Sequence, residues 1–356
     1  MPENHDLETD LREMIEQGHV VAVVGSGVSC AATSRALTWR GLIQAAVARC
    51  KSIGAPSDWC DYVTHLLASP YPDMLLAAAE MVHQKLREGG GGEFARWLRD
   101  TFENLQPENR SIIESLAALN MPLLTTNYDG LIEKVTGLKS VSWRDARKVA
   151  RVVRGEDCRV LHLHGFWEEP NSVVLGIRSY EAIRNNEHTQ AVMKAFGIAK
   201  SFMFVGCGDE GLADPNFGNF LDWLEAVEKE AGVEHRHYRL VRKGDIFKPR
   251  GRLFPLPYGE AYDELPKFME SLRPQKKAAA RVLAALPNNI DYYLTCLAQD
   301  TAHLRLIGMG RSLQVELPID EAYVPLRTTM ARSLEMRKPL RFKAGGAEYE
   351  EDVDLG

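Results

Sequence analysis

The chain is 356 residues long, 45% hydrophobic and 26% charged, enough apolar material to bury the core of one large soluble domain with an appendage. Its formal net charge of -6, with basic residues scattered along it, excludes the electrostatic footprint of a dedicated nucleic-acid binder, so a phosphate-bearing ligand must be held by local geometry. Its six cysteines lie far apart with no C-x-x-C pair, and no apolar run is long enough to span a bilayer, which predicts a cytoplasmic chain with free thiols, no structural zinc and no membrane partner.

Asp6 to Gln17 predicts a short amphipathic helix. The apolar run His19 to Val24 then ends at Gly25-Ser26-Gly27, which reads as a buried parallel strand feeding a glycine turn. Thr38 is placed to cap a helix running to about Lys51. From about Ser57 to Glu103 β-branched residues are few, and the pattern is helical with a break at Gly89 to Gly92, a helical insertion over about residues 57–105. Strand and helix alternate again with Pro122 to Thr126, a helix from Asp129 to about Val135, and a strand at Arg159 to Leu163. A helix at Gln190 to Lys200 leads into a strand at Ser201 to Val205, and a helix from about Asp214 to Glu230 into a strand at Tyr238 to Val241. This alternation defines an α/β fold, a Rossmann-like and mostly parallel sheet with helices on both faces and its ligands at the carboxyl ends of the strands. From about residue 274 the character changes: KKAAARVLAALPNN and Asp291 to Asp300 are helical in pattern, Leu304 to Val324 carries short strand-like pieces, and the acidic end from Glu348 is expected to fray. The expected division is residues 1–273 and a connector, 274–356.

Four segments fall at strand ends and carry the chemistry. In Gly25-Ser26-Gly27-Val28-Ser29 the glycines let backbone N–H groups approach a pyrophosphate, and Ser26 and Ser29 add hydroxyls. The segment is equally readable as a tight turn, and Cys30 stands where the third glycine of a dinucleotide fingerprint belongs. Thr125-Thr126-Asn127-Tyr128-Asp129 puts an amide and a carboxylate at the rim, with Asp129 also placed to cap the next helix. His162-Leu163-His164-Gly165 sends both histidines to one side of the sheet, and the glycine opens the backbone next to His164, the candidate general base; His162 suits a pairing inside the core. Val205-Gly206-Cys207-Gly208-Asp209 is a second glycine turn, suited to a ribose or adenine, in which Cys207 reads as a small hydrophobe rather than a nucleophile.

In this order the segments GSGVS, TTNYD, HLHG and VGCGDEGLADPN resemble the SIR2-like branch of the sirtuin superfamily. The resemblance implies NAD+ as substrate, with no metal needed. It assigns Gly25, Ser26, Gly27 and Ser29 to the phosphates, Asn127 and His164 to catalysis with Asp129 beside them, and Gly206, Gly208 and Asp209 to the adenosine end. Trp39 is similar to the tryptophan that follows the first loop in SIR2-like effector domains. The sequence departs from the deacylases of the superfamily: the zinc-binding cysteines are replaced by the helical insertion, and Thr126 stands where those enzymes carry glutamine. It looks closer to the NADase effectors of bacterial antiphage defence, which implies abortive infection, self-association into a homo-oligomer or filament, and a phage-derived trigger. The end of the chain is similar to connectors that precede NACHT or STAND-type NTPase modules, implying an effector arm of a larger sensor. Two other readings stand beside hydrolysis, an NAD-dependent protein deacylase and a non-catalytic sensor of NAD or ADP-ribose.

Overall fold

In a computed structural model the described residues are 4–208, 218, 220–226, 236–245 and 252–273, together with the backbone of four strands nearer the C-terminus. The chain divides into two compact units, Met1–Lys276 and Lys277–Gly356.

The first unit is built on seven strands: β1 (Val20–Val24), β2 (Leu123–Thr125), β3 (Lys139–Ser142), β4 (Arg159–His162), β5 (Ser201–Val205), β6 (His237–Val241) and β7 (Leu253–Pro257). Their order is β3-β4-β2-β1-β5-β6-β7, and every pairing is parallel. β1 lies in the middle and all five of its residues are buried, which explains its unbroken apolar run. Because side chains alternate along a strand, Val20, Ala22 and Val24 enter the core on one face while Val21 and Val23 enter the core on the other.

Most of the helices share the core cluster of the first face: α1 (Asn4–Glu16), α2 (Ser26–Ala32), α3 (Trp39–Ser52), α4 (Ser57–Ala68), α5 (Pro72–Glu88), α6 (Glu93–Phe102), α7 (Ser111–Ala117), α8 (Leu131–Thr136) and a late helix, Leu265–Ser271, numbered α12 below. The second face is covered by α9 (Ala146–Val153), α11 (Glu187–Ala199) and the helical residues 220–226; α10 (Ile177–Arg184) packs in a small separate cluster with Trp143 and Val174. The helical insertion is therefore α4, α5 and α6, and Thr38 caps α3 by accepting a hydrogen bond from the Gly41 amide at 3.2 Å.

Three expectations change. The glycine turn after β1 is at once the start of α2, which begins at Ser26. The sheet gains an edge strand on each side, β3 and β7, that apolar periodicity does not reveal: KSVS is short and polar, and LFPLP carries two prolines, which only an edge strand accommodates. Of the helix expected over Asp214 to Glu230, residues 220–226 are helical and the flanking stretches lie largely outside the described residues.

In the second unit β8 (His303–Ile307) pairs antiparallel with β9 (Gln314–Pro318), and β10 (Leu340–Ala344) with β11 (Ala347–Glu351). The acidic stretch from Glu348 to Glu351, expected to fray, is a strand because β10 supplies a ladder for its backbone. The helical patterns expected between residues 274 and 300 lie outside the described residues.

Candidate functional site

The chain leaves β1 toward β2, β4 and β3 on one side, then crosses to β5, β6 and β7 on the other, so the topological switch point falls between β1 and β5. Parallel sheets open a crevice at the carboxyl ends of the strands flanking such a point. Val24 is in register with both Thr125 and Val205, and Thr125 with His162, so the four sequence segments start from one rung of the sheet. Asn127 and His164 each lie two residues beyond the rung Thr125–His162 on neighbouring strands.

The two glycine loops interlock. Gly25 N donates to Val205 O and Gly27 N to Gly206 O, both at 2.9 Å. A Cβ at Gly25 would sit 2.6 Å from Gly206 O, and one at Gly27 2.8 Å from the same oxygen. Gly206 has φ +65°, and a Cβ there would lie 2.6 Å from Val28 N. These glycines thus serve backbone-to-backbone packing, a use the sequence reading did not assign to them. Gly27 and Gly208 are exposed at the rim and Ser26 is half-buried; a Cβ at Gly208 would meet nothing within 4 Å among the described residues. Asp209 lies outside the described residues.

Asn127 is buried and held on three sides. Its backbone N–H donates to Thr125 Oγ1 at 3.0 Å, and its side-chain Nδ2 donates to Gly25 O at 3.0 Å and to Ser29 Oγ at 2.9 Å. Both amide protons therefore point into the protein and fix the carboxamide's orientation. Ser29 Oγ in turn donates to Asp129 Oδ2 at 2.8 Å, and Asp129 Oδ1 accepts the Leu131 amide at 3.1 Å at the start of α8. Asp129 is not the cap residue of α8, a position held by Gly130; it accepts the first helical amide from one residue earlier, and its other oxygen anchors Ser29. Burial pushes the Asp129 carboxyl above the ordinary aspartate range, against the hydrogen bonds from Ser29 and Leu131 that favour its charged form.

His164 is buried, packs edge-on against Tyr180 with ring centroids 5.5 Å apart, and its carbonyl accepts the Val174 amide at 2.8 Å. Tyr180 belongs to the cluster of Trp143, Val174 and Ile183 against which Trp39 packs, so the tryptophan after the first loop and the histidine border the same cluster. The turn past His164 requires glycine: Gly165 has φ +88°, and a Cβ there would lie 2.2 Å from Ser172 O.

His162 is fully buried and paired inside the core, with Nδ1 2.9 Å from Asn127 O and Nε2 2.7 Å from Glu133 Oε1. Glu133 escaped the sequence reading; its position four residues after Asp129 on a short helix, one turn from the rim, is the signal that could have found it. Burial pushes the Cys207 thiol up to about 12, which opposes the thiolate a nucleophile needs, and Sγ lies 3.5 Å from Val23 O. Among the described residues no three His, Cys, Asp or Glu side chains gather as a metal site. No described helix is long and apolar enough to cross a membrane.

Residues 122–254 match the family described as the SIR2-like domain. The matched stretch runs from the start of β2 into β7 and contains Asn127, Asp129, His162, His164, Gly206 and Gly208, while the β1 loop precedes it. This part of the chain is similar to the SIR2-like superfamily, a likeness that points to NAD-related chemistry.

Proposed function

We propose that the chain is an NAD+ glycohydrolase that cleaves NAD+ to nicotinamide and ADP-ribose. The observation that carries this reading is the fixed carboxamide of Asn127, both of whose N–H groups are engaged by Gly25 O and Ser29 Oγ, set at the same sheet level as His164. With its donors turned inward, Asn127 offers its acceptor oxygen to a water or a ribose hydroxyl. Rate enhancement of this kind comes from orientation, because the amide is held before substrate arrives.

In the reaction the bond between the ribose C1′ and the nicotinamide nitrogen breaks, and its electron pair leaves with nicotinamide, which departs neutral from a cationic ring. A water oxygen bonds to C1′, and the proton it loses passes to His164. Proton acceptance and water positioning of this kind each contribute on the order of 10²-fold or more. Gly27 and Gly208 are exposed and Ser26 is half-buried, so the first loop and the start of the second present backbone and one hydroxyl, groups that suit the phosphates and ribose of a dinucleotide. The wider role in antiphage defence, with activation by self-association in the cytoplasm, rests on the likeness to SIR2-like effectors.

The test is nicotinamide release from NAD+ by the purified chain over a range of protein concentrations, beside His164→Ala and Asn127→Ala. Release that rises more steeply than protein concentration and disappears in both variants supports the whole reading. Binding of NAD+ without release at any concentration would instead favour a nucleotide sensor, and release that requires an acylated peptide would favour a deacylase.

A further inference from the structure

Behind the candidate site lies a group of ionisable side chains that the hydrolysis reading leaves unused. His162 has no exposed surface, and its two ring nitrogens face two different oxygens: Nδ1 faces the main-chain carbonyl of Asn127 at 2.9 Å and Nε2 the Glu133 carboxyl at 2.7 Å. A carbonyl oxygen only accepts, so Nδ1 must carry a proton. The Nε2–Oε1 contact then needs a proton of its own, carried either by the imidazole beside a carboxylate or by the carboxylic acid beside a neutral ring. Both arrangements contain the same number of protons and the same net charge.

The second Glu133 oxygen, Oε2, is buried without a hydrogen-bond partner among the described residues, so an unshared negative charge on this carboxyl would be poorly solvated. Phe166 closes the other side of the imidazole, with ring centroids 4.7 Å apart. The ionisable groups acting on His162 are Glu133 from α8 and Asp129 from the loop before it, both acidic, so losing the shared proton would leave two carboxyl groups facing a neutral ring in a buried space.

We propose that His162 and Glu133 form a proton-sharing pair that positions Asn127 through its carbonyl, and that the shared proton sets the alkaline limit of the site. Asn127 is then clamped at both ends, its side chain by Gly25 and Ser29 and its carbonyl by His162. His162 and Glu133 are positioning residues, since neither is held to touch substrate. The functional half of the inference rests on Asn127 meeting the substrate; the proton-sharing half does not. Burial works against a charged His162, but the hydrogen bond and charge of Glu133 outweigh it and hold the imidazole above its ordinary range, in keeping with the geometry.

Two measurements on the full chain separate these halves. In the first, 15N NMR of the histidine rings, assigned with His162→Asn, is followed from about pH 6 to about pH 9, the span over which a perturbed histidine titrates. Nδ1 is expected to stay protonated throughout, whatever the turnover. A tautomer with its only proton on Nε2 would overturn the pairing even in an inactive protein.

In the second, nicotinamide release is measured against pH for the wild type, Glu133→Gln, His162→Asn and His162→Ala. Glu133→Gln keeps a hydrogen-bonding group beside Nε2 but cannot share a proton, so kcat is expected to fall on the order of tenfold to 10²-fold, with KM nearly unchanged and the alkaline limb displaced. His162→Asn, whose Nδ2 can still donate to Asn127 O, should recover part of what His162→Ala loses. Wild-type kcat and pH profile in Glu133→Gln would overturn the positioning role. A wild type that releases no nicotinamide refutes the hydrolase reading and, with it, the functional half, leaving the NMR result to decide the pairing.

Discussion

Ser29 and Asp129, 100 residues apart in the chain, meet in a buried 2.8 Å hydrogen bond from Ser29 Oγ to Asp129 Oδ2. The same serine oxygen accepts the Asn127 amide at 2.9 Å, so one hydroxyl ties the first loop, the amide and the helix-starting carboxylate together. Ser29→Ala removes both bonds and leaves the Asp129 oxygen and the Asn127 N–H buried without that partner. It is expected to cost about 1–3 kcal/mol in urea denaturation. Nicotinamide release should fall by more than the loss of folded protein explains, which comparing kcat per folded molecule reveals.

The interlocked glycines make a contrasting pair of substitutions. Gly206→Ala places a Cβ 2.6 Å from Val28 N in a left-handed conformation, so it is expected to destabilise by roughly 1–3 kcal/mol or to misassemble the two loops. Gly208→Ala meets nothing within 4 Å among the described residues and should leave the melting temperature nearly unchanged. If the second loop meets the adenosine end of NAD+, Gly208→Ala alone raises KM. Unchanged KM would move the dinucleotide away from this loop.

His164→Ala is expected to abolish nicotinamide release while NAD+ binding, read by calorimetry, survives. Because His164 is buried against Tyr180, the variant also loses packing, at a cost of about 1–3 kcal/mol. His164→Gln keeps more of the volume and separates the two effects. Full turnover in the glutamine variant would remove His164 from the proton transfer.

Stability should depend on pH from two directions. His162 and Asp129 both have raised values in the folded state, so folding takes up protons; their contribution is complete below the unfolded-state values, 6.5 and 3.8, and is lost as pH rises through the folded ones. His83 is the opposite case: burial, then the charge of Arg87, lower it from 6.5 to about 4, so its contribution is present above 6.5 and lost as pH falls toward 4. Chemical denaturation across pH should show the acid-side loss of stability weakened in His83→Phe and the alkaline-side loss altered in Glu133→Gln. An unchanged profile in both variants would show that neither group governs the pH response.

Cys207 provides a control at the site's edge. Its thiol is pushed up to about 12 by burial, so thiolate is scarce near neutral pH. Cys207→Ala is expected to retain turnover within about twofold, the scale of a change that removes neither a charge nor a reacting group. Loss of activity without loss of folding would reopen a role for sulfur.

Much of this arrangement is legible in residue order. The short, valine-rich apolar run from Val20 to Val24, ended by a glycine turn, reads as a strand buried on both faces, and the glycines, Asn127 and His164 all follow such runs, which puts them at the carboxyl end of a parallel sheet. Periodicity reports burial, and for that reason it passes over β3 and β7, edge strands whose polar residues and prolines carry no such pattern. What only the tertiary structure decided is which atoms meet. That Gly25 and Gly206 are glycines because two backbones touch, that Asp129 reaches Ser29, and that Glu133 joins His162 behind Asn127 all depend on strand order and register. Those link Asp129, Ser29, Asn127, His162 and Glu133 into one chain of hydrogen bonds, and no local pattern encodes separations of this kind.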